Sequence, residues 1–468
     1  MNIPRNNIYL QPQAIITIKA MRVIIIGAGA IGAHLADLFS KIHQDIVIID
    51  DDEQKLERIQ SDCDLMTIHC TSATPVSVLK EAGVHKAGLF IAVTPDENKN
   101  LSLCVLAKSM GARKTVAKVE NVELTDRQVV ESFRAAGITS IIYPDNLAAL
   151  DIINGLELTW VRQRWEVHGG ALTLLGIKVH ESCEILGLPF KDIFKPDSPY
   201  HVVAIKRGTD TIIPTGNDML VSGDYVYFMT TRDFVPSMRK ILGKENYPDV
   251  KSVIIVGGGK TAVRVANMLP HGIKAKIFES DPHRCEELID LVNPDRVMVI
   301  NADGRSVANL MEENIKGSQA FIALTGNAEA NILACLTAKE LGIHKTIAMI
   351  ENMDYVGIAG NVDIGTIINK QALTASHIYQ MMLDGDVRNM RNLLNVNADI
   401  AEFVASPGSR ITRKRVRDLN FPREAELGGI VRGDKGLLVN GDTLIQAGDI
   451  VVVFCHGTEI SRIEKYFI

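Results

Sequence analysis

The sequence predicts an α/β protein of two doubly wound parallel-sheet domains, each followed by a small α+β module. Three observations carry that expectation: the chain repeats itself, short β-branched runs alternate with helical spacing, and a glycine-rich turn follows the first apolar run of each repeat. FIAVTPDENKNLSLCVLAKSMGARKTVAKVEN, starting at Phe90, returns as FIALTGNAEANILACLTAKELGIHKTIAMIEN, starting at Phe321. Thr94 and Thr325, Asn100 and Asn331, Lys114 and Lys345, and Asn121 and Asn352 are each 231 residues apart. An ungapped match of that length marks a duplication.

In the first repeat, residues 23–26, 46–49, 65–68, 89–93 and 115–119 are short runs rich in β-branched residues, typical of strands buried on both faces. Residues 53–60 and 98–110 between them carry apolar positions at helical spacing, and such alternation means a parallel sheet with helices on its faces. The second repeat places its strands near Val253, Ala275, Val297, Ala320 and Thr346. Around residues 202–229 and 429–454, strands crowd together with turns and with the pairs Gly223-Asp224 and Gly448-Asp449, which predicts hairpins in a compact unit. The expected organisation is an extension at 1–20, a first sheet domain (N1) at 21–143, a linking helix at 144–161 and a first small module (C1) at 162–246. A second sheet domain (N2) at 251–367, a linking helix at 368–395 and a second small module (C2) at 396–468 follow. Either Met1 or Met21 serves as the start. The apolar faces of the linking helices suit packing within the chain or against another subunit.

Composition narrows the function. A hydrophobic fraction of 46% with 23% charged residues excludes wholesale disorder, and a net charge of -6 gives no global attraction to nucleic acid or anionic lipid. No apolar run approaches the ~20 residues needed to cross a bilayer, so any membrane role runs through a protein partner. The first twenty residues lack the basic start and apolar middle of a signal peptide. Seven scattered cysteines without C-x-x-C spacing read as reduced thiols, and no H-E-x-x-H supports a metal site. The cluster Arg410, Arg413, Lys414, Arg415 and Arg417 reads first as a solvated face, and otherwise as a docking surface for an acidic partner or nucleic acid.

The glycine-rich turns carry the chemistry. Gly27, Gly29 and Gly32 follow a strand and open a helix: the first makes the turn, the second admits a pyrophosphate, the third lets helix approach strand. The helix N-terminus then offers free N–H groups to phosphate. Asp50 ends the second strand, where a carboxylate accepts hydrogen bonds from ribose hydroxyls and repels a 2′-phosphate, favouring NAD or an adenine nucleotide over NADP. N2 has Gly257, Gly259 and Ala262 with Glu279 at the corresponding strand end, and Asp303-Gly304 where N1 has Cys70-Thr71-Ser72, so the two sites are unequal. Thr94 and Thr325 end the fourth strands at the carboxyl edge, and Asn100 and Asn331 suit either a ligand role or helix capping. The candidate contacts are thus Gly27, Gly29, Ala30, Ile31, Gly32, Asp50, Asp51, Thr71 and Thr94 in N1, and Gly257, Gly259, Glu279, Asp303 and Thr325 in N2. In either reading, a Rossmann fold that binds a nucleotide or one that has lost its ligand, the glycines remain.

A dehydrogenase needs a general acid or base poised over the nicotinamide, and the small modules offer no such constellation. Tyr247 and Lys251 have Y-x-x-x-K spacing but precede the first strand of N2, and Cys104 and Cys335 read as packing residues. No catalytic residue is assigned. An NAD-dependent oxidoreductase with an unrecognised substrate stays as the alternative to a regulatory protein.

The strand-turn-helix of residues 22–32 with Asp50, the stretch 94–100, and the Gly-Asp-bearing modules, all doubled, resemble the TrkA family, regulatory subunits of Trk potassium-uptake systems built from tandem RCK/KTN nucleotide-binding domains. The resemblance runs from Met21 through the chain. It implies RCK-N and RCK-C domains, and a cytoplasmic protein peripheral at the inner face of the cell membrane, assembled as a homotetramer. It further implies gating of a TrkH-like membrane potassium transporter in response to NAD(H) or ATP/ADP. Charge and motifs, for their part, lead to the expectation of no nucleic-acid partner and no metal. Ala262 and Asn327-Ala328 in N2 depart from the pattern, as does the fragment TSATP in N1.

Overall fold

β-branched residues restrict the backbone to extended conformations, and the runs that carry them form two six-stranded parallel sheets. The computed structural model describes residues 21–41, 44–71, 76–208, 210–382, 387–393, 398–422, 424–455 and 459–468; the expected extension at 1–20 lies outside them, as does Ser72. N1 contains β1 (Arg22–Ile26), β2 (Asp45–Asp50), β3 (Met66–His69), β4 (Ala87–Ala92), β5 (Lys114–Lys118) and β6 (Ser140–Ile142), in spatial order 3-2-1-4-5-6. That order is the doubly wound one, whose strand order reverses beside β1.

C1 follows as an antiparallel sheet of β7 (Gln163–Val167), β8 (Leu172–Lys178), β9 (Tyr200–Arg207), β10 (Asp210–Ile212) and β11 (Tyr225–Thr231). N2 repeats the first sheet with β12 (Ser252–Val256), β13 (Lys274–Glu279), β14 (Val297–Asn301), β15 (Ala320–Ala323), β16 (Lys345–Met349) and β17 (Thr366–Ile368) in the same order. C2 is the antiparallel sheet of β18 (Val387–Leu393), β19 (Ala398–Val404), β20 (Ala425–Arg432), β21 (Lys435–Leu438) and β22 (Ile450–Cys455).

Two features differ from the sequence expectation. β6 and β17 are three-residue edge strands, too short for periodicity to reveal. The second linking helix spans Lys370–Met382, and β18 already belongs to C2, so the helical link is shorter than the expected 368–395.

The linking helices cross between repeats. The first, Pro144–Leu156, lays Ala148, Ala149, Ile152 and Leu156 on the helix Lys260–Met268 that follows the glycine turn of N2, in one buried cluster with Ala262 and Val265. The second returns the contact, bringing Ala375, Ile378 and Tyr379 to the N1 helix Ala30–Lys41, with Tyr379 stacked on Phe39 at 5.7 Å. Their apolar faces thus pack within the chain. The C1 and C2 sheets also share a core, in which Val203, Tyr227 and Met229 meet Ile400, Val452 and Phe454.

The Gly-Asp pairs are structural staples. Buried Asp449 accepts from Arg432 Nε at 2.9 Å, Arg432 Nη2 at 2.7 Å and the Gln446 N–H at 2.8 Å. Asp224 does the same for Arg207 and Val221. A bidentate, desolvated carboxylate is a strong contact, whereas the arginine stays partly in water after truncation. Asp449→Ala is therefore expected to lower the urea unfolding free energy by about 2–3 kcal/mol, with Asp449→Asn intermediate.

Candidate nucleotide site

The glycine turn of N1 is pinned from below and open above. Gly27 donates to the Ile49 carbonyl at 2.9 Å and holds φ at +106°, where an added Cβ would meet the backbone of Val93 and Thr94 at 3.1 Å. Gly32 sits behind the turn, where a Cβ would lie 1.8 Å from the Gly27 oxygen. Gly29 is different, since a Cβ there meets nothing within 4 Å. Packing gives no reason for glycine at that position, whereas close approach of a ligand to the backbone does.

Asp50 has a second task beside the expected one. Its Oδ2 accepts from the Ala28 N–H at 2.5 Å and its Oδ1 from the Asp52 N–H at 2.9 Å, so it staples the turn to the end of β2. Glu279 repeats this in N2, accepting from Gly258 N–H at 2.7 Å and Asp281 N–H at 2.9 Å. Each oxygen keeps a further lone pair for a hydroxyl donor.

A cavity of about 800 Å³ opens at this turn, within the size range of small-molecule sites. Gly27, Gly29, Ala30, Ile31, Asp50, Asp51 and Thr94 all line it. Gly32 does not, acting through helix packing, and Thr71 is exposed and stands outside the lining. Cys70 takes the place expected of Thr71.

Thr94 faces the cavity, but its hydroxyl is committed to Asn100 Oδ1 at 2.7 Å. Asn100 is fully buried, and its Nδ2 donates to the carbonyls of Thr94 at 3.0 Å and Lys118 at 2.9 Å, tying together the ends of β4 and β5. Asn331 does the same for Thr325 and Met349. Helix capping belongs instead to Asp96 and Asn327, so Asn100 and Asn331 are strand clamps.

In N2, Gly257 and Gly259 repeat the turn geometry, with φ of +98° at the first and open space at the second. Asp303 is engaged by Arg305 at 2.9 Å, which holds its carboxyl below the ordinary range. The following Gly304 lies against Val256 and Phe278.

The far wall of the N1 cavity comes from groups that sequence patterns do not mark. Lys118 pairs with Glu120 at 2.9 Å, and Glu120 also holds Lys260 of the N2 turn at 3.0 Å. Lys370, from the second linking helix, bridges Glu351 at 3.0 Å and Asp145 at 3.3 Å. Burial works against the Lys370 charge, but the two carboxylates prevail and raise its pKa. Asp145 also accepts from the Thr261 hydroxyl at 2.5 Å. Lys118 ends β5 and Glu120 follows it, at the carboxyl edge where such sheets bind ligands. Lys370 approaches from the other repeat and has no local signal.

Among the described residues no group of three or more His, Cys, Asp or Glu side chains suits a metal, and no helix is long and apolar enough to cross a membrane. Cys104 and Cys335 donate to the Val116 and Ile347 carbonyls, and burial pushes Cys335 up to about 12 and Cys104 higher, so neither is a thiolate at neutral pH. In the basic cluster, Arg415 and Arg417 pair with Asp442, and Arg410 covers the Tyr466 ring at 4.2 Å.

Residues 23–144 and 253–370 match the TrkA-N domain family, and residues 174–243 and 400–468 match the TrkA-C domain family. The Trk system potassium uptake protein TrkA homolog of Archaeoglobus fulgidus is 30% identical over 450 residues, covering 96% of this chain and 100% of that protein. The Trk system potassium uptake protein TrkA of Halomonas elongata is 29% identical over 454 residues, covering 96% of this chain and 98% of that one. The crystal structure of the GsuK RCK domain superposes with a TM-score of 0.58 at 14% identity, covering 96% of this chain and 95% of that one. The GsuK channel bound to NAD gives a TM-score of 0.57 at 14% identity over 96% and 79% of the two chains. At such identities the structural likeness establishes the fold.

Proposed function

Because the chain belongs to the TrkA family, with TrkA-N and TrkA-C domains matched in both repeats, we propose that it is the nucleotide-binding regulatory subunit of a membrane potassium transporter. In this reading it works at the cytoplasmic face of the membrane as a homo-oligomer, a tetramer by the family resemblance, docked on a TrkH-like subunit. NAD(H) or ATP/ADP binds in N1 at Gly27, Gly29, Ala30, Ile31, Asp50, Asp51 and Thr94. The equivalent N2 set, Gly257, Gly259, Glu279, Asp303 and Thr325, forms a second and unequal site.

The observation that carries the regulatory reading is that the N1 cavity is walled by Lys370 and Glu351 of the second repeat. A ligand acts on a conformational equilibrium only through different contacts in its two states. A nucleotide here touches both repeats at once, so its identity bears on how they sit together. The oxidoreductase alternative gains no observation of its own.

The test is transport in liposomes holding the membrane subunit and this chain, with ATP, ADP, NAD or NADH supplied, alongside equilibrium binding to the purified chain. Potassium flux should change with the nucleotide, and bound NADH should be recovered unchanged. Asp50→Asn removes one acceptor next to the ribose and is expected to weaken nucleotide binding about tenfold. Flux indifferent to every nucleotide, or substrate-dependent oxidation of NADH, overturns the reading.

A further inference from the structure

A second cavity, of about 210 Å³, lies where C1 meets N2, far in sequence from either glycine turn. Arg162, Lys178, Lys244, Lys339 and Lys345 all line it, against the single carboxylate of Asp363. These cations are not surface groups that water screens: Lys345 is 2% and Lys244 3% exposed.

The one acid does not balance them. Asp363 is shared between Arg162 and Lys339, the latter at 3.1 Å. Lys345 Nζ donates to the Val161 carbonyl at 2.6 Å and the Thr366 hydroxyl at 3.2 Å, neutral partners that satisfy hydrogen bonds and leave the charge. Lys244 Nζ has the Tyr247 hydroxyl at 3.4 Å and the Tyr247 ring beneath it at 5.1 Å. Neither Lys178 nor Lys244 forms an ion pair among the described residues. Asp151 and Asp224 act on Lys345 and Lys178 only through space, so the cations stay in excess. Buried like charges in excess of their counter-charge are costly, and an entering anion relieves that cost.

We propose that this cavity is a binding site for a small phosphoryl anion, of the size and charge of inorganic phosphate or diphosphate, held between C1 and N2. Arg162 supplies a planar fork suited to two phosphoryl oxygens, and the lysines supply point charges around it. The volume is below that of sites for drug-sized ligands, which begin at about 300 Å³, so a whole nucleotide does not fit. Because Lys345 and Thr366 already tie N2 to the C1 backbone at Val161 and Arg162, the anion adds a charged clamp to a joint between the repeats.

The protonation state of the pocket fits this reading. Burial, and next the charge of Arg162, lowers Lys345 to about 7 and Lys244 and Lys339 to about 8. Burial lowers His180 to about 4 and raises Tyr247, so neither carries charge at neutral pH. An entering anion favours the charged lysines, and binding at pH 8 therefore takes up protons.

The test is titration calorimetry of the full chain, freed of phosphate, with inorganic diphosphate at pH 8 in two buffers of different ionisation heat. Wild type should bind and take up more protons per diphosphate than Lys244→Met, a difference in which the ligand's own titration cancels. Lys244→Met should weaken binding at least tenfold while leaving the melting temperature in phosphate-free buffer unchanged or higher, since a buried cation has been removed. A merely structural lysine would lower that temperature. Lys178→Met provides the same comparison should Lys244→Met misfold. Diphosphate binding that survives both substitutions belongs to a glycine turn and overturns the proposal, as does a proton count that Lys244→Met leaves unchanged or no binding at millimolar diphosphate.

Discussion

Gly32→Ala is expected to abolish nucleotide binding in N1 and to lower the stability of that domain by about 3 kcal/mol, read by urea unfolding and by titration with ATP and NADH. The added methyl would lie 1.8 Å from the Gly27 oxygen, which is backbone. Relief requires the helix Ala30–Lys41 to move away from β1 or the turn to open, and either change displaces the N–H groups of Gly29 and Ala30 that border the cavity. In N2 the corresponding residue is Ala262, fully buried and accommodated. The N2 turn thus already holds, fully buried, the methyl group that the N1 turn has no room for. Ala262→Gly should accordingly cost only about 1 kcal/mol, the helix penalty of glycine, and should not tighten N2 toward ligand. Equal losses from the two substitutions would contradict the close packing seen at Gly32.

Raising the pH from 7 to 8.5 in phosphate-free buffer should stabilise the native chain by about 2 kcal/mol, with Lys345 the largest contributor. The unfolded chain keeps its lysines protonated up to about the ordinary value of 10.5, whereas the native state gives up the Lys345 proton near 7 and those of Lys244 and Lys339 near 8. Across that window the unfolded state binds more protons, so stability rises with pH. Below about 7 the charge is imposed on the buried site and the gain is gone. Denaturant unfolding at several pH values gives the slope. Lys345→Met should reduce it by about one proton. A flat profile, or one that falls, would mean that water reaches these ammonium groups freely.

The two repeats, the ten longer parallel strands and the glycine turn with its acid are legible in sequence because each is a local pattern. β-branched runs, strand-turn-helix spacing and a fixed offset all act over a few residues or an exact copy. Asn100 shows where that local view misleads. Its position near the start of a helix suggests capping, but its partners are carbonyls on two strands, one of them 18 residues away. Asp50 shows a subtler shift: the carboxylate sits where expected, yet its first duty is to its own turn. Lys370 and Glu351 were invisible as site residues because they reach N1 from the other repeat. The cations at 162, 178, 244, 339 and 345 have no common spacing, and only the docking of C1 on N2 makes them neighbours.

The crossing of the linking helices also bears on why both copies persist. A fragment ending after C1 would present Ala148, Ala149, Ile152 and Leu156 to water, because the surface that covers them belongs to the other copy. Each half is thus the other's obligatory cover. Selection can relax the ligand chemistry of N2, trading Gly32 for Ala262 and Asp50 for Glu279, without licence to delete the domain. What began as two equal copies is free to diverge at the glycine turns while each goes on covering the other.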